Sequence, residues 1–327
     1  MMNVYFVANL LKPYQPQMPL DQLVIEVNKL YHACEAQDYD SKHPKLYAQL
    51  PELWQEMIQI ATAQCRSTVW RILDFGCGTG FEAEQLLRNL SVGNVAQLVC
   101  YDPSPEMLNR CRSRVAPLYP QAVFCGDLRD LPAGKEGYNL LATNSLLHHL
   151  PDPVATMNNL RPLLAPESVW LAGHEPSNRF YKNAECLKVY ERFLRERSWR
   201  KFLSPERYFY RLRIEAGLIS DPAKQAANEA FRKGLFKRKP SKDVIGTLVD
   251  FHVPCSVEEA TAGRGFDFEL LQQDFAGSWH LRWVKTYSYV GSFYENYVPE
   301  KWVRSCAELA RKFPQDGANF CSIWKRP

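Results

Sequence analysis

The sequence predicts a doubly wound α/β fold, and three observations carry that prediction. Between Trp70 and Glu175, short apolar runs alternate with amphipathic stretches, the pattern of buried strands joined by crossover helices. The first run ends in an acid and three alternating glycines before a helical pattern opens, as ILDFGCGTGFEAEQLL from Ile72 to Leu87. The regions on either side, 1–68 and 178–265, have helical patterns instead.

In order, RILDF, QLVCYD, AVFCGD, YNLLATN and SVWLAGHE read as buried parallel strands, because both faces of such a strand are covered and the apolar run is continuous. Helical segments fall between them at Phe81 to Asn89, Pro105 to Ala116 and Pro153 to Leu164. Upstream, helices are expected near Leu20 to Glu35 and Pro44 to Cys65, and downstream from Pro299 to Lys312. GANFCSIWKRP closes the chain as one more strand. The expected division is a helical N-terminal extension (1–68), the α/β core (69–177), a helical insertion (178–265) and a return to the core (266–327).

Composition places the 327-residue chain among ordinary soluble proteins, with 46% hydrophobic and 23% charged residues and a net charge of +4. That mild charge does not point to nucleic acid. The most basic stretch, FRKGLFKRKPSK (Phe231 to Lys242), reads as a solvated loop or helix end. No apolar run is long enough for a bilayer, and MMNVYFVANLLKPYQPQ lacks a basic leader followed by a long apolar core. The ten cysteines are scattered without a Cys-x-x-Cys pair. A reducing, cytoplasmic setting without zinc or disulfides is expected.

A strand that stops at a glycine turn and opens a helix is an anion or nucleotide site. Glycine allows the sharp turn and close approach, and the helix N–H groups face the ligand. Gly76, Gly78 and Gly80 alternate, so the dinucleotide pattern G-x-G-x-x-G is not met, and the Gly-Lys-Ser/Thr of a phosphate loop is absent. Asp74 places an anion at the turn, which suits a cationic ligand and repels a pyrophosphate. The second strand ends in Asp102, positioned for ribose hydroxyls. The third ends in Gly126-Asp127, where a carboxylate can accept from an adenine amino group.

DFGCGTG, then YDPS, then CGD, then NSLLHHLPD resembles the class I S-adenosylmethionine-dependent methyltransferases. The likeness covers about residues 65–177 and, loosely, the terminal strand. It implies a mostly parallel seven-stranded sheet with the last strand antiparallel, a helical lid over the glycine motif, and a helical cap on the acceptor side. It also implies that Asp74, Gly76, Cys77 and Gly78 face the methionine end of the cofactor, Asp102 and Pro103 the ribose, and Asp127 and Leu128 the adenine. Asn144 would lie beside the bound cofactor. The implied activity is in-line methyl transfer, most of which is positioning. A base helps when the acceptor is a hydroxyl or a protonated amine. His148 and His149 after the fourth strand, and His174 and Glu175 ending the fifth, are the candidates. The histidine pair has an alternative reading as residues that pack or cap the loop. No metal ligand set is expected.

In the lid, Tyr31, Tyr39 and His43 could touch cofactor or acceptor. Between 178 and 300 aromatics abound, including Phe180, Tyr181, Trp199, Tyr208, Phe209, Tyr210, Trp279, Trp283, Tyr287 and Tyr289. Arg179, Arg192, Arg207, Arg211 and Arg213 are interleaved with them. Such a pocket suits a planar or acidic small molecule; the same residues read equally as the core and solvated face of a helical cap. CSVEEATAGRGF (Cys255 to Phe266) looks like a helix start and a Gly-rich turn over the cleft. A small-molecule acceptor, methylated at oxygen or nitrogen, is therefore expected. The alternatives are RNA or protein, contacted through Arg192 to Arg213 and Arg232 to Lys242, and a cofactor-binding protein without catalysis. Nucleic acid is not favoured: the basic stretches are mixed with glutamates, and the fourth strand ends in ATNSLLHH instead of an Asn-Pro-Pro-Tyr type of sequence.

Overall fold

A computed structural model describes residues 4–42, 44–65, 67–132, 134–202, 221–254, 256–261, 263–291 and 298–327. Its strands are β1 (Trp70–Phe75), β2 (Val95–Tyr101), β3 (Val123–Cys125), β4 (Tyr138–Asn144), β5 (Leu164–Pro176), β6 (His280–Tyr287) and β7 (Asn319–Lys325). They form one sheet in the order β3-β2-β1-β4-β5-β7-β6. The first five are mutually parallel, and β7 runs antiparallel to both β5 and β6. The order reverses at β1, which has β2 on one side and β4 on the other. A crevice opens at the carboxyl ends of strands flanking such a switch point.

Before the sheet lie α1 (Val4–Leu11), α2 (Leu20–Glu35), α3 (Tyr39–Lys42) and α4 (Pro44–Gln64). Within the alternating block are α5 (Phe81–Asn89), α6 (Pro105–Val115) and α7 (Pro153–Leu160). After β5 come α8 (Arg179–Lys182), α9 (Ala184–Phe202), α10 (Pro222–Arg232), α11 (Lys242–Val249), α12 (Val257–Thr261), α13 (Phe268–Asp274) and α14 (Glu300–Lys312). Starts follow local chemistry: Ser104 accepts from the Met107 N–H at 3.3 Å and Asp152 from the Ala155 N–H at 2.9 Å, each followed by proline in the first turn.

Both faces of the sheet are buried, with successive residues feeding opposite cores. Ile72, Leu98, Leu140 and Leu171 pack with Trp54 and Leu86 on one side. Leu73, Val99, Leu141 and Trp170 pack with Met157, Trp279 and Trp324 on the other. The apolar runs of β1, β2 and β4 are therefore continuous.

A third core joins the two ends of the helical sequence. Val7 and Leu11 of α1 and Leu23, Val24 and Val27 of α2 pack against Ala226, Ala227 and Ala230 of α10 and Val244, Ile245 and Leu248 of α11. A fourth holds Phe180, Tyr181, Tyr190 and Phe193 against Tyr289, Trp302 and Leu309. The described part of residues 178–265 thus packs mainly in two places, one part with the N-terminal helices and one with α14.

The aromatics read as a possible acceptor pocket find other places. Trp283 and Tyr287 belong to β6, an edge strand, and pack on the first sheet core. Trp279 is buried in the second, and Trp199 is exposed. Phe180, Tyr181 and Tyr289 fill the fourth core. Arg179 lies over the Phe268 ring and pairs with Glu269 at 3.1 Å; Arg192 lies over Trp302. His43, Arg207, Tyr208, Phe209, Tyr210, Arg211 and Arg213 fall outside the described residues. Among the described residues, no helix is long and apolar enough to cross a membrane.

Candidate active site

The crevice at the switch point is a cleft with about 850 Å³ of empty space, open to solvent. The glycine loop forms its floor, with Gly76, Cys77, Gly78 and Thr79. The end of β2 gives Asp102, Pro103 and Ser104, and the end of β4 gives Asn144, Ser145, Leu146 and His149. Helix α2 crosses above with Ile25, Asn28, Lys29 and His32, joined by Tyr39 of α3.

The loop is bent by hydrogen bonds from its own N–H groups. Those of Gly76 and Cys77 both donate to the Tyr101 carbonyl, at 2.8 and 2.9 Å. Gly76 has φ +79°, a conformation that side chains rarely adopt, and a Cβ there would stand 2.6 Å from Leu146 Cδ1 and force that side chain to shift. The Gly78 N–H donates to Asp102 Oδ2 at 3.0 Å, and the Ser104 N–H to Oδ1 at 2.8 Å. Burial pushes the Asp102 carboxyl up to about 6, while those two N–H groups pull it down. Each oxygen keeps a second lone pair for a hydroxyl in the cleft.

Asp74 lies beneath the floor. It is fully buried, and its Oδ2 accepts from the Ala83 N–H of α5 at 3.2 Å. Its Oδ1 has no hydrogen-bond partner among the described residues. Burial first, then the neighbouring Glu82, push its pKa up. The acid that lines the cleft at the glycine end is Glu82, one turn position after the loop. Burial raises it to about 8. Sequence reasoning missed it because a glutamate in the first turn of a helix is ordinary. A polar tie holds the lid to this end: Thr79 Oγ1 donates to Asp40 Oδ1 at 2.8 Å, and Arg114 pairs with Asp40 and donates to Thr79 at 3.0 Å.

At the β4 end, Asn144 Oδ1 accepts from Trp54 Nε1 at 3.2 Å. Ser145 follows with φ +50° and donates its N–H to the Gly173 carbonyl at 2.9 Å. His149 faces the cleft, and its Nδ1 donates to the Val249 carbonyl at 2.6 Å. That bond leaves Nε2 as the unprotonated nitrogen. Burial and the adjacent His148 hold His149 well below the usual histidine range. His32 packs edge-on against it, 5.0 Å between ring centres, and burial lowers it to about 4. His32 was not singled out in the sequence, although Ile25, Asn28, Lys29 and His32 form one i, i+3, i+4, i+7 stripe opposite the core stripe of α2.

Three of the four residues read as bases are elsewhere. Glu175 is fully buried and accepts from the N–H groups of Leu146, Leu147 and His148 at 2.8, 2.9 and 3.2 Å. His148, 1% exposed, sets its Nδ1 2.9 Å from Glu175 Oε2. His174, also buried, meets the Tyr287 hydroxyl at 2.5 Å. The cause is a bulge: the β5–β7 register shifts between Ala172 and Glu175, and His174 sits at φ +53°. An extra residue there re-aims both side chains away from the alternation that Val169 to Ala172 keep.

Asp127 and Leu128 do not line the cleft. Asp127 instead pairs with Arg129, which together with the Arg129 N–H holds the carboxyl down at about 2, and Leu128 is exposed.

Acid sensitivity follows from the buried histidines beside the cleft. Burial holds His252 down at about 4, against an ordinary value of about 6.5. Between those values the unfolded chain takes up a proton that the fold refuses, so stability falls as pH falls from 6.5 to 4. Glu82 and Glu175, raised by burial, act with the opposite sign. They are common to wild type and a His252→Gln variant, so the comparison isolates the histidine. Thermal melts should show wild type losing stability relative to His252→Gln over that window; parallel curves would sink this reading.

Comparison with known proteins locates the match on these same strands. Residues 73–169 match a family described as a methyltransferase domain. The malonyl-[acyl-carrier protein] O-methyltransferase of Halorhodospira halophila is 33% identical over 97 residues, 30% of this chain and 32% of that protein. The alignment thus spans about a third of that relative. The demethylmenaquinone methyltransferase of Staphylococcus saprophyticus is 22% identical over 186 residues, 56% of this chain and 77% of that one. Among solved structures, the plantazolicin methyltransferase BpumL in complex with SAH aligns over 94% of this chain and 98% of its own, at 13% identity and a TM-score of 0.45. The family match begins inside β1 and ends inside β5, and so takes in β1, β2 and β4, whose ends line the cleft: residues 73–169 are similar to a methyltransferase domain.

Proposed function

We propose that the chain moves the methyl group of S-adenosylmethionine to an oxygen or nitrogen of a small-molecule acceptor. One observation supports this above the others: α2 and α3 lie across the glycine loop, with Asn28, His32 and Tyr39 facing Gly78 and Asp102 across the cleft, so an acceptor has to reach the methyl group beneath a lid. A lidded cleft favours a small molecule over a folded macromolecule.

The cofactor supplies a methyl group made electrophilic by a sulfonium. The rest falls to the chain's own residues. Asp102 holds the ribose hydroxyls and, through Gly78, the shape of the loop. The Glu82 carboxyl takes the methionine end, with the unpartnered Asp74 Oδ1 beneath the loop. Asn144 and Ser145 bound the opposite side, and α2 excludes water from above. Of the four residues considered as bases, His149 is the one on the cleft wall, and activation of the acceptor is assigned to it.

His149→Ala should lower kcat by about 10²–10⁴-fold, the span of a lost proton-handling group, with S-adenosylhomocysteine affinity unchanged by calorimetry. Equal kcat would remove His149 from the reaction. The acceptor class is tested by incubating the protein and radiolabelled S-adenosylmethionine with a cell extract, then separating dialysable from macromolecular label. Dialysable label is the expected result. Label in RNA or protein would overturn the small-molecule reading, and no label with cofactor bound would overturn catalysis.

A further inference from the structure

At the end of the cleft marked by His149, three side chains converge that no role above has used together. His148, His149 and Asp250 each bring one ligand atom, a ring nitrogen or a carboxylate oxygen, and these atoms lie within 4.8 Å of one another. Two come from the short turn after β4 and the third from the residue that ends α11. The loop bond from His149 to the Val249 carbonyl brings the two segments together.

The surroundings fit a cation. Nδ1 of His148 is held by Glu175 Oε2 at 2.9 Å, and Nδ1 of His149 by the Val249 carbonyl at 2.6 Å. A backbone carbonyl can only accept, so His149 presents an unprotonated Nε2, and a ring held at Nδ1 by a carboxylate or a carbonyl is the outer arrangement that metal-binding histidines use. The nearby cation, Arg264, donates to the Asp250 carbonyl oxygen at 2.5 Å but is paired with Glu259 at 2.9 Å.

We propose that His148, His149 and Asp250 bind a divalent transition-metal ion at the acceptor end of the cleft. Two imidazoles and one carboxylate select ions of the zinc, cobalt and nickel class. Magnesium and calcium favour all-oxygen sites. Three protein ligands leave coordination positions open, and His149 also borders the cleft. The ion's use, to activate an acceptor, rests on the proposed function and refines it, with His149 serving as a ligand instead of a lone base. Ion binding itself does not depend on that function.

The test uses the full chain, stripped with a chelator and titrated with Co²⁺, followed by visible absorption and by calorimetry with Zn²⁺ competition. One Co²⁺ per chain, displaced by Zn²⁺, is expected. Asp250→Asn and His149→Ala should each weaken binding at least tenfold, with circular dichroism confirming that both variants stay folded. No stoichiometric binding, or binding that neither folded variant weakens, would overturn the site. Co²⁺ binding lost in both variants, with no methyl transfer to any fraction by the wild-type chain, would uphold the site and overturn the proposed function. Transfer at full rate in a chain that binds no Co²⁺ would do the reverse.

Discussion

Asp102→Ala should weaken S-adenosylhomocysteine binding by about 100-fold or more. The carboxylate accepts two N–H bonds, from Gly78 in the floor and Ser104 at the start of α6. Bonds to a charged group are worth about 1.5–3 kcal/mol each, and each 1.4 kcal/mol is a factor of ten in affinity. Losing them frees the loop before any ribose contact is counted. Asp102→Asn keeps one acceptor oxygen and should fall between. Calorimetry on both variants is the check. Unchanged affinity in Asp102→Ala would mean that the cofactor is held elsewhere, and the assignment of this cleft would fail with it.

Glu175→Ala is expected to cost stability, not chemistry. It strips the acceptor from three N–H groups in the turn after β4, two of them in buried residues. An orphaned buried donor costs about 1–3 kcal/mol, so the sum is on the order of 4 kcal/mol and Tm should drop by about 10 °C. Glu175→Gln retains an oxygen for Leu146 and Leu147 but turns an amide toward His148, so a smaller drop is expected. A proton-transfer role would give the opposite signature, with kcat lost in Glu175→Gln and Tm intact. Differential scanning fluorimetry beside a turnover assay separates the two.

The contrast between Asp102 and Glu175 indicates what a sequence can disclose. Both are acids at strand ends. Asp102 stands where β2 keeps its regular pleat, and counting along the strand places its carboxyl at the cleft. Glu175 follows a bulge in β5, and no residue type in LAGHEP announces that shift. The continuous apolar runs of β1, β2 and β4 were legible because the sheet is covered on both faces. β6 was not: HLRWVKTY lies at the sheet edge, half exposed, and its tryptophan and tyrosine read as pocket aromatics. The glycine floor was legible from spacing alone. The roof was legible in part: the lid and Tyr39 were expected and Tyr39 lines the cleft, but His32 reaches it only through the packing of α2 over residues more than forty positions away. Asp127 followed the pattern of the family, yet its own neighbour Arg129 takes the carboxylate.

Helix α2 has two occupied faces. One stripe lines the cleft, while Leu23, Val24 and Val27 are locked into α1, α10 and α11 through a core of their own. Lifting α2 alone would expose that core to water at about 25 cal/mol per Å² of apolar surface. The economical way to clear the cleft is for the four helices to swing as one body, a motion of microseconds to milliseconds and not the nanosecond flicker of a loop. Exchange of spent cofactor then becomes a gating event, and turnover in this chain would be clocked by the hinge of a small bundle as readily as by the breaking of a carbon–sulfur bond.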